Sequence, residues 1–137
     1  MELSSYDLAK QGEAGFTFEI THPATGEKLG GFITVRGSES KIVQNYNRRR
    51  FMELQKRERR NKGKDDSYTL DEIESISIES AYVRVISWKN IKKDGVELEF
   101  NKENAEQVFR DFPWIRAQVQ ENSEDLLNFR PDWIWAS

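Results

Sequence analysis

Between Ser38 and Asn61 the chain carries no Gly and no Pro, so twenty-four consecutive residues are free to form one uninterrupted helix. At 1.5 Å per residue such a helix is about 36 Å long. Ser38 is its expected N-cap. Ile42, Val43, Tyr46, Phe51 and Leu54 form a broad apolar stripe along the first half, and no apolar side chain follows until Tyr68. The distal half is therefore expected to project as an arm that buries nothing.

That arm is strongly cationic. Residues 48–64 read RRRFMELQKRERRNKGK, nine Lys/Arg against two Glu; removing them from the totals of 21 basic and 24 acidic residues leaves 12 against 22. A local charge of +7 thus sits in a remainder of −10. The balance argues against a protein coated in positive potential and for one basic element among acidic surfaces. On a helical wheel Arg48, Arg49, Arg50, Lys56, Arg57, Arg59 and Arg60 are read as spread around most of the circumference, whereas a groove-reading helix gathers its cations on one side. This reading disfavours nucleic acid as a partner and expects an acidic protein surface, such as another copy of the chain. Residues 94–132, with ten acidic and four basic side chains, supply such a surface.

The remaining elements give an α+β fold in a single domain spanning 1–137. Phe16, Phe18 and Ile20 alternate with polar residues, a turn-rich HPATGEK follows, and Phe32–Val35 completes a β-hairpin over 16–36, with a bulge at Gly30–Gly31. The long basic helix occupies 38–62 and a loop 63–68. A helical body fills 69–129. Thr69 and Glu72 have capping-box spacing, so 70–88 is read as a helix despite the β-branched residues from Ser75 to Trp88. Its apolar residues surround the axis from Ala81 onward, which only a buried central element tolerates. Asp94-Gly95 marks a tight turn, Asn101 caps a helix, and Pro113 opens another whose apolar face includes Ile115, Val119, Leu126 and Leu127. An aromatic tail, 130–137, closes the chain. Trp133 and Trp135 there either fold back on the core or dock on another protein.

Chemistry-bearing patterns are missing. There is no Cys, which excludes thiolate zinc sites and disulfides, and the one histidine, His22, lies in a turn beside Pro23. Nucleophile, zinc-protease and phosphate-loop motifs are absent, and the adjacent pairs Asp65-Asp66 and Glu124-Asp125 read as solvated surface. The expectation is a non-enzyme with no cofactor and no metal. The N-terminus has no secretory pattern and no stretch reaches membrane-spanning length, so host-cell cytoplasm is the expected compartment.

The run VISWKNIKKDGVELEFNKENAEQVFRDFPWIRAQVQENSEDLLNF, residues 85–129, resembles the C-terminal half of tail assembly chaperones of long-tailed bacteriophages. The shared features are a Trp-containing segment, a D-G turn, the FNKENA helix start, PWIRAQV and the final NF. The hairpin and long helix that precede it suit the order of elements in that family. The resemblance implies a protein that binds and solubilises the tape-measure protein, recruits major tail-tube subunits that displace it, and is absent from the mature particle. Such a role suits a homo-oligomer with no membrane attachment. Residues expected to contact protein are Arg48, Arg49, Lys56, Arg57, Arg59, Arg60, Trp133 and Trp135. Two alternatives stand beside it: a nucleic-acid-binding module using 48–64, and a structural component joining head and tail.

Overall fold

The alternation at the start of the chain does build a hairpin. In the computed structural model, which describes residues 1–64 and 67–130, β1 (Phe16–Thr21) pairs antiparallel with β2 (Lys28–Val35). His22 serves the connecting turn, its Nδ1 accepting from the backbone N–H of Ala24 and Thr25. Glu19 pairs with Phe32 but Thr21 pairs with Lys28, so the extra residues of a bulge fall on β2 around the expected glycines. Gly30 takes a positive φ there, and its N–H donates to Glu19 Oε2 at 2.9 Å.

The hairpin gains a third strand that the helical reading of 70–88 did not contain. Helix α3 runs only from Leu70 to Arg84; Val85–Lys89 is strand β3, antiparallel to β2, and the sheet order is β1-β2-β3. Both local signals were real, over different halves of the segment. The capping box forms as expected, with Thr69 Oγ1 accepting from Glu72 N–H and the Glu72 carboxylate accepting from Thr69 N–H, each at 3.1 Å. β-branched Val85 and aromatic Trp88 then pair with the open edge of β2, where they satisfy its ladder, with Ile86 at a bulge between them. Arg36 secures the switch: its N–H donates to Arg84 O, and its guanidinium donates to Val83 O at 3.0 Å and Val85 O at 2.8 Å, carbonyls a helix end leaves bare.

Burial along α3 is one-ended. Ile78, Ala81 and Arg84 are buried, whereas Leu70 and Ile73 are exposed, so only the C-terminal half is the central element expected.

The long helix α2 spans Lys41–Arg60, 20 residues and about 30 Å. It starts three residues later than its break-free stretch suggests. Ser38 N–H donates to Ser123 O and Gly37 N–H to Gly12 O, Ser40 N–H closes a turn onto Gly37 O at 3.0 Å, and Ser40 takes the N-cap position without a side-chain cap. Gly12, in the short helix α1 (Leu8–Glu13), and Gly37 touch backbone to backbone; a Cβ on Gly37 would stand 2.9 Å from Gly12 Cα.

The second half follows the sequence closely. Asp94 and Gly95, both at positive φ, join β4 (Lys92–Lys93) to β5 (Val96–Glu97). Asn101 caps α4 (Lys102–Asp111) by accepting from Asn104 N–H at 2.8 Å, and Pro113 opens α5 (Pro113–Glu124). Leu126 and Leu127 do not extend α5's apolar face: Asp125 caps a 3-10 turn, Leu126–Phe129, which exposes both leucines and buries Phe129 instead. α5 lies against β1 and β2, and α3 packs on α4 and α5. Ile33, Val35, Phe109 and Val119 are fully buried where these layers meet. Gln118 ties α5 to the sheet edge, donating to Thr21 O at 2.8 Å and accepting from Thr21 N–H at 3.0 Å.

Candidate functional site

Helices α2 and α3 form an antiparallel hairpin that extends beyond the layered core, and its far end is held by one guanidinium. Arg57 Nη1 donates to Glu72 Oε2 at 2.6 Å, Arg57 Nη2 donates to Ser67 O at 3.0 Å, and the same group lies 4.1 Å from the centre of the Tyr68 ring. Glu72 closes the capping box as well. The Arg57 hydrogen bond, followed by the Thr69 backbone N–H, lowers its pKa to about 2. Near the other end the Tyr46 hydroxyl donates to Ile76 O at 3.4 Å. The arm thus does not project alone: α3 covers one side of it, and Arg57 is a structural clasp instead of a free contact residue.

This pairing also corrects the view that the cations surround α2. Val43, Tyr46, Arg50 and Arg57 are the residues of α2 that are buried or half-buried, and at 100° per residue they share one face. Arg50 is paired there with Glu53. With Arg50 and Arg57 assigned to the α3 side, the other cations, Lys41, Arg48, Arg49, Lys56, Arg59 and Arg60, fall within an arc of about 120°. That arc contains no acidic residue, and none of its six cations forms an ion pair among the described residues.

The hairpin therefore has two unlike sides. On one, an open groove of about 840 Å³ runs between a basic lip, including Lys56 and Arg60, and an acidic lip of Asp71, Glu72 and Glu79, with Tyr68 and Ile76 in its lining. On the other, helical phase in antiparallel helices sets Leu54 and, farther round the helix, Phe51 of α2 on the same side as Ile73 of α3, whereas Leu70, about 160° around α3 from Glu72, faces away from α2. Phe51, Leu54 and Ile73 are 59%, 36% and 52% exposed, an apolar strip of the kind that marks an interaction surface. Sequence reading counted Phe51 and Leu54 toward α2's packing stripe and Leu70 and Ile73 toward a buried helix. The signal that could have found the strip is its length: apolar residues run along both helices past the point where the sheet and α5 can cover them.

Of the other residues singled out from sequence, Arg48, Arg49, Lys56, Arg59 and Arg60 are brought together on the basic face. Trp133 and Trp135, like Asp65 and Asp66, lie outside the described residues. Glu124 is exposed at the end of α5, and no group of three or more His, Cys, Asp or Glu side chains that could hold a metal exists among the described residues. Arg84 went unnoticed in the sequence: it is buried, donates to Ser80 O and Oγ at 3.0 and 2.7 Å, and burial pulls its pKa down. No helix among the described residues is long and apolar enough to cross a membrane.

A protein-family model described as YdaY prophage protein matches residues 39–133, a span that begins just ahead of α2 and takes in every later described element. No curated protein and no solved structure matches the chain.

Proposed function

Because this chain belongs to the YdaY prophage protein family and is phage-derived, we propose that it is a tail assembly chaperone, acting by binding and not by catalysis. It coats the tape-measure protein in the host cytoplasm, keeps that client's helical apolar surface in solution, and gives way to major tail-tube subunits. The observation that carries the proposal is the strip of Phe51, Leu54 and Ile73, exposed on a helical hairpin that stands clear of the core. An amphipathic helix laid along two such helices exchanges water for apolar contact over several turns. The resemblance of residues 85–129 to phage tail assembly chaperones supports the same reading. Copies side by side along one client would associate with each other, with modest affinity per contact so that displacement remains feasible.

The test is co-expression with the tape-measure protein of the same phage. The client should remain in the supernatant with the wild-type chain and sediment with the double variant Phe51→Glu, Ile73→Glu, while circular dichroism shows that the variant is folded. A client whose solubility is the same with wild type, variant or empty vector rules the proposal out. Stoichiometric amounts of the protein in purified particles would favour a structural joining component instead.

A further inference from the structure

We propose that the outward face of α2 binds the sugar-phosphate backbone of nucleic acid, without reading base sequence. The face is the arc of Lys41, Arg48, Arg49, Lys56, Arg59 and Arg60, all exposed, free of acidic residues, and spread along the whole length of a 20-residue helix. The sequence argument against nucleic acid was that the cations encircle the helix. It fails because Arg50 and Arg57, which supplied that appearance, are held on the inner side by Glu53 and Glu72. Among the described residues, the carboxylates that line the adjoining groove are those of Glu53, already paired with Arg50, of Glu72, paired with Arg57, and of Asp71 and Glu79 on the opposite lip. Glu58 points to the other side of α2 by helical phase.

The composition of the face decides between classes of partner. Protein interfaces draw their affinity from a desolvated apolar or aromatic centre, and exposed ion pairs add little to it. Ile42 and Met52 are the only apolar residues in this arc, ten residues apart. Phosphate backbones need no apolar centre, because displaced counterions supply the driving force. The match must also extend about 28 Å, the length of the cation row. Within a second copy of this chain, the exposed carboxylates at the end of α5, Glu121 and Glu124 followed by Asp125, span little more than one turn and match only part of that row. A nucleic-acid strand presents one phosphate per ~3.4 Å for as long as required. The acidic remainder of the chain confines contact to this face, so binding is expected to be weak at physiological salt. The apolar strip lies on a different side of the hairpin, so this site is independent of the client reading.

Fluorescence anisotropy with labelled duplex DNA, single-stranded DNA and single-stranded RNA of about 20 nucleotides tests the proposal. The full chain should bind at ~50 mM salt, and affinity should fall about 10²- to 10³-fold by ~200 mM, as expected for contact with four to six phosphates. Arg48→Glu, Lys56→Glu, Arg59→Glu together should remove binding at ~50 mM. The matched reversal Lys28→Glu, Lys92→Glu, Lys93→Glu, of equal charge but on the sheet and the small hairpin, should leave it within a few-fold. Differences among the three probes identify the preferred nucleic acid. Absence of binding to all probes at ~50 mM, or equal loss in both triple variants, overturns the proposal. So does a face variant that retains binding but shifts the sedimentation of the protein alone, which would identify the face as a contact between copies.

Discussion

Arg57 shows how little of a side chain's role is visible from its immediate neighbours. In sequence it is one of nine cations in a basic run; in the fold it is spent on Glu72, Ser67 O and the Tyr68 ring. The Thr69-Glu72 capping box was legible because it is local, whereas the Arg57 contact joins residues 15 apart through a loop. Glu72 carries a testable consequence. Its pKa is lowered from 4.5 to about 2, so the ionised form is favoured in the folded state. That contribution is present in full above the unfolded value near 4.5 and is lost as pH falls from there toward about 2. Glu72→Gln keeps a residue that can still close the box and removes only the charge. Urea midpoints should show the variant less stable than wild type at pH 7, with the gap closing below about pH 4. A gap that is independent of pH would show that Glu72 acts through geometry alone. Arg57→Ala should lower the midpoint at pH 7 as well, and Arg59→Ala should leave it unchanged, because Arg59 makes no ion pair among the described residues and lies on the outward face.

At the scale of elements, local grammar located the starts of structure better than the ends. Asn101, Pro113, Asp94-Gly95 and the hairpin alternation each act within a few residues, and each element they mark is present. The end of α3 is set from a distance. Val85–Lys89 is extended because β2 presents an unpaired edge and because Arg36 takes up the carbonyls at the helix terminus, neither of which lies near residue 85 in sequence. Apolar residues all round an axis indicated burial correctly but not the period of the backbone. Trp88 is the anchor of the resulting strand. Its indole N–H donates to Leu98 O at 2.8 Å, its ring meets Phe100 edge-on at 5.1 Å, and it is 9% exposed. Trp88→Ala removes both contacts and leaves a cavity, at an expected cost of about 3–5 kcal/mol. Trp88→Phe should recover most of the packing and lose the hydrogen bond, costing about 1–3 kcal/mol. Chemical denaturation of the two variants provides the comparison; a Trp88→Phe variant as stable as wild type would mean that the hydrogen bond contributes nothing.

Across the molecule, burial divides the chain into a layered core and a hairpin end with little beneath it. The cluster that includes Ile33, Val35, Phe109 and Val119 joins sheet, α4 and α5, whereas beyond Glu53 the helix α2 buries no side chain and meets α3 chiefly at Arg57. Stability is expected to follow that division, because local opening is easiest where few apolar contacts must be broken. Amide hydrogen exchange should find β2, α4 and α5 protected to near the global unfolding limit and residues 54–60 of α2 exchanging far faster. Arg57→Ala should accelerate exchange in 54–60 and at the start of α3 while the core rates stay put. The same weakness gives the proposed client site a readout. A partner seated on Phe51, Leu54 and Ile73 bridges the two helices and opposes their separation, so it should slow exchange in 54–60 and 70–75 in proportion to its occupancy. Nucleic acid on the outward face contacts α2 alone and should slow exchange in α2 while leaving 70–75 as it was. A client that leaves both segments unchanged binds elsewhere on the molecule, and uniform protection along α2 and α3 without any ligand would mean the hairpin end is as firmly held as the core.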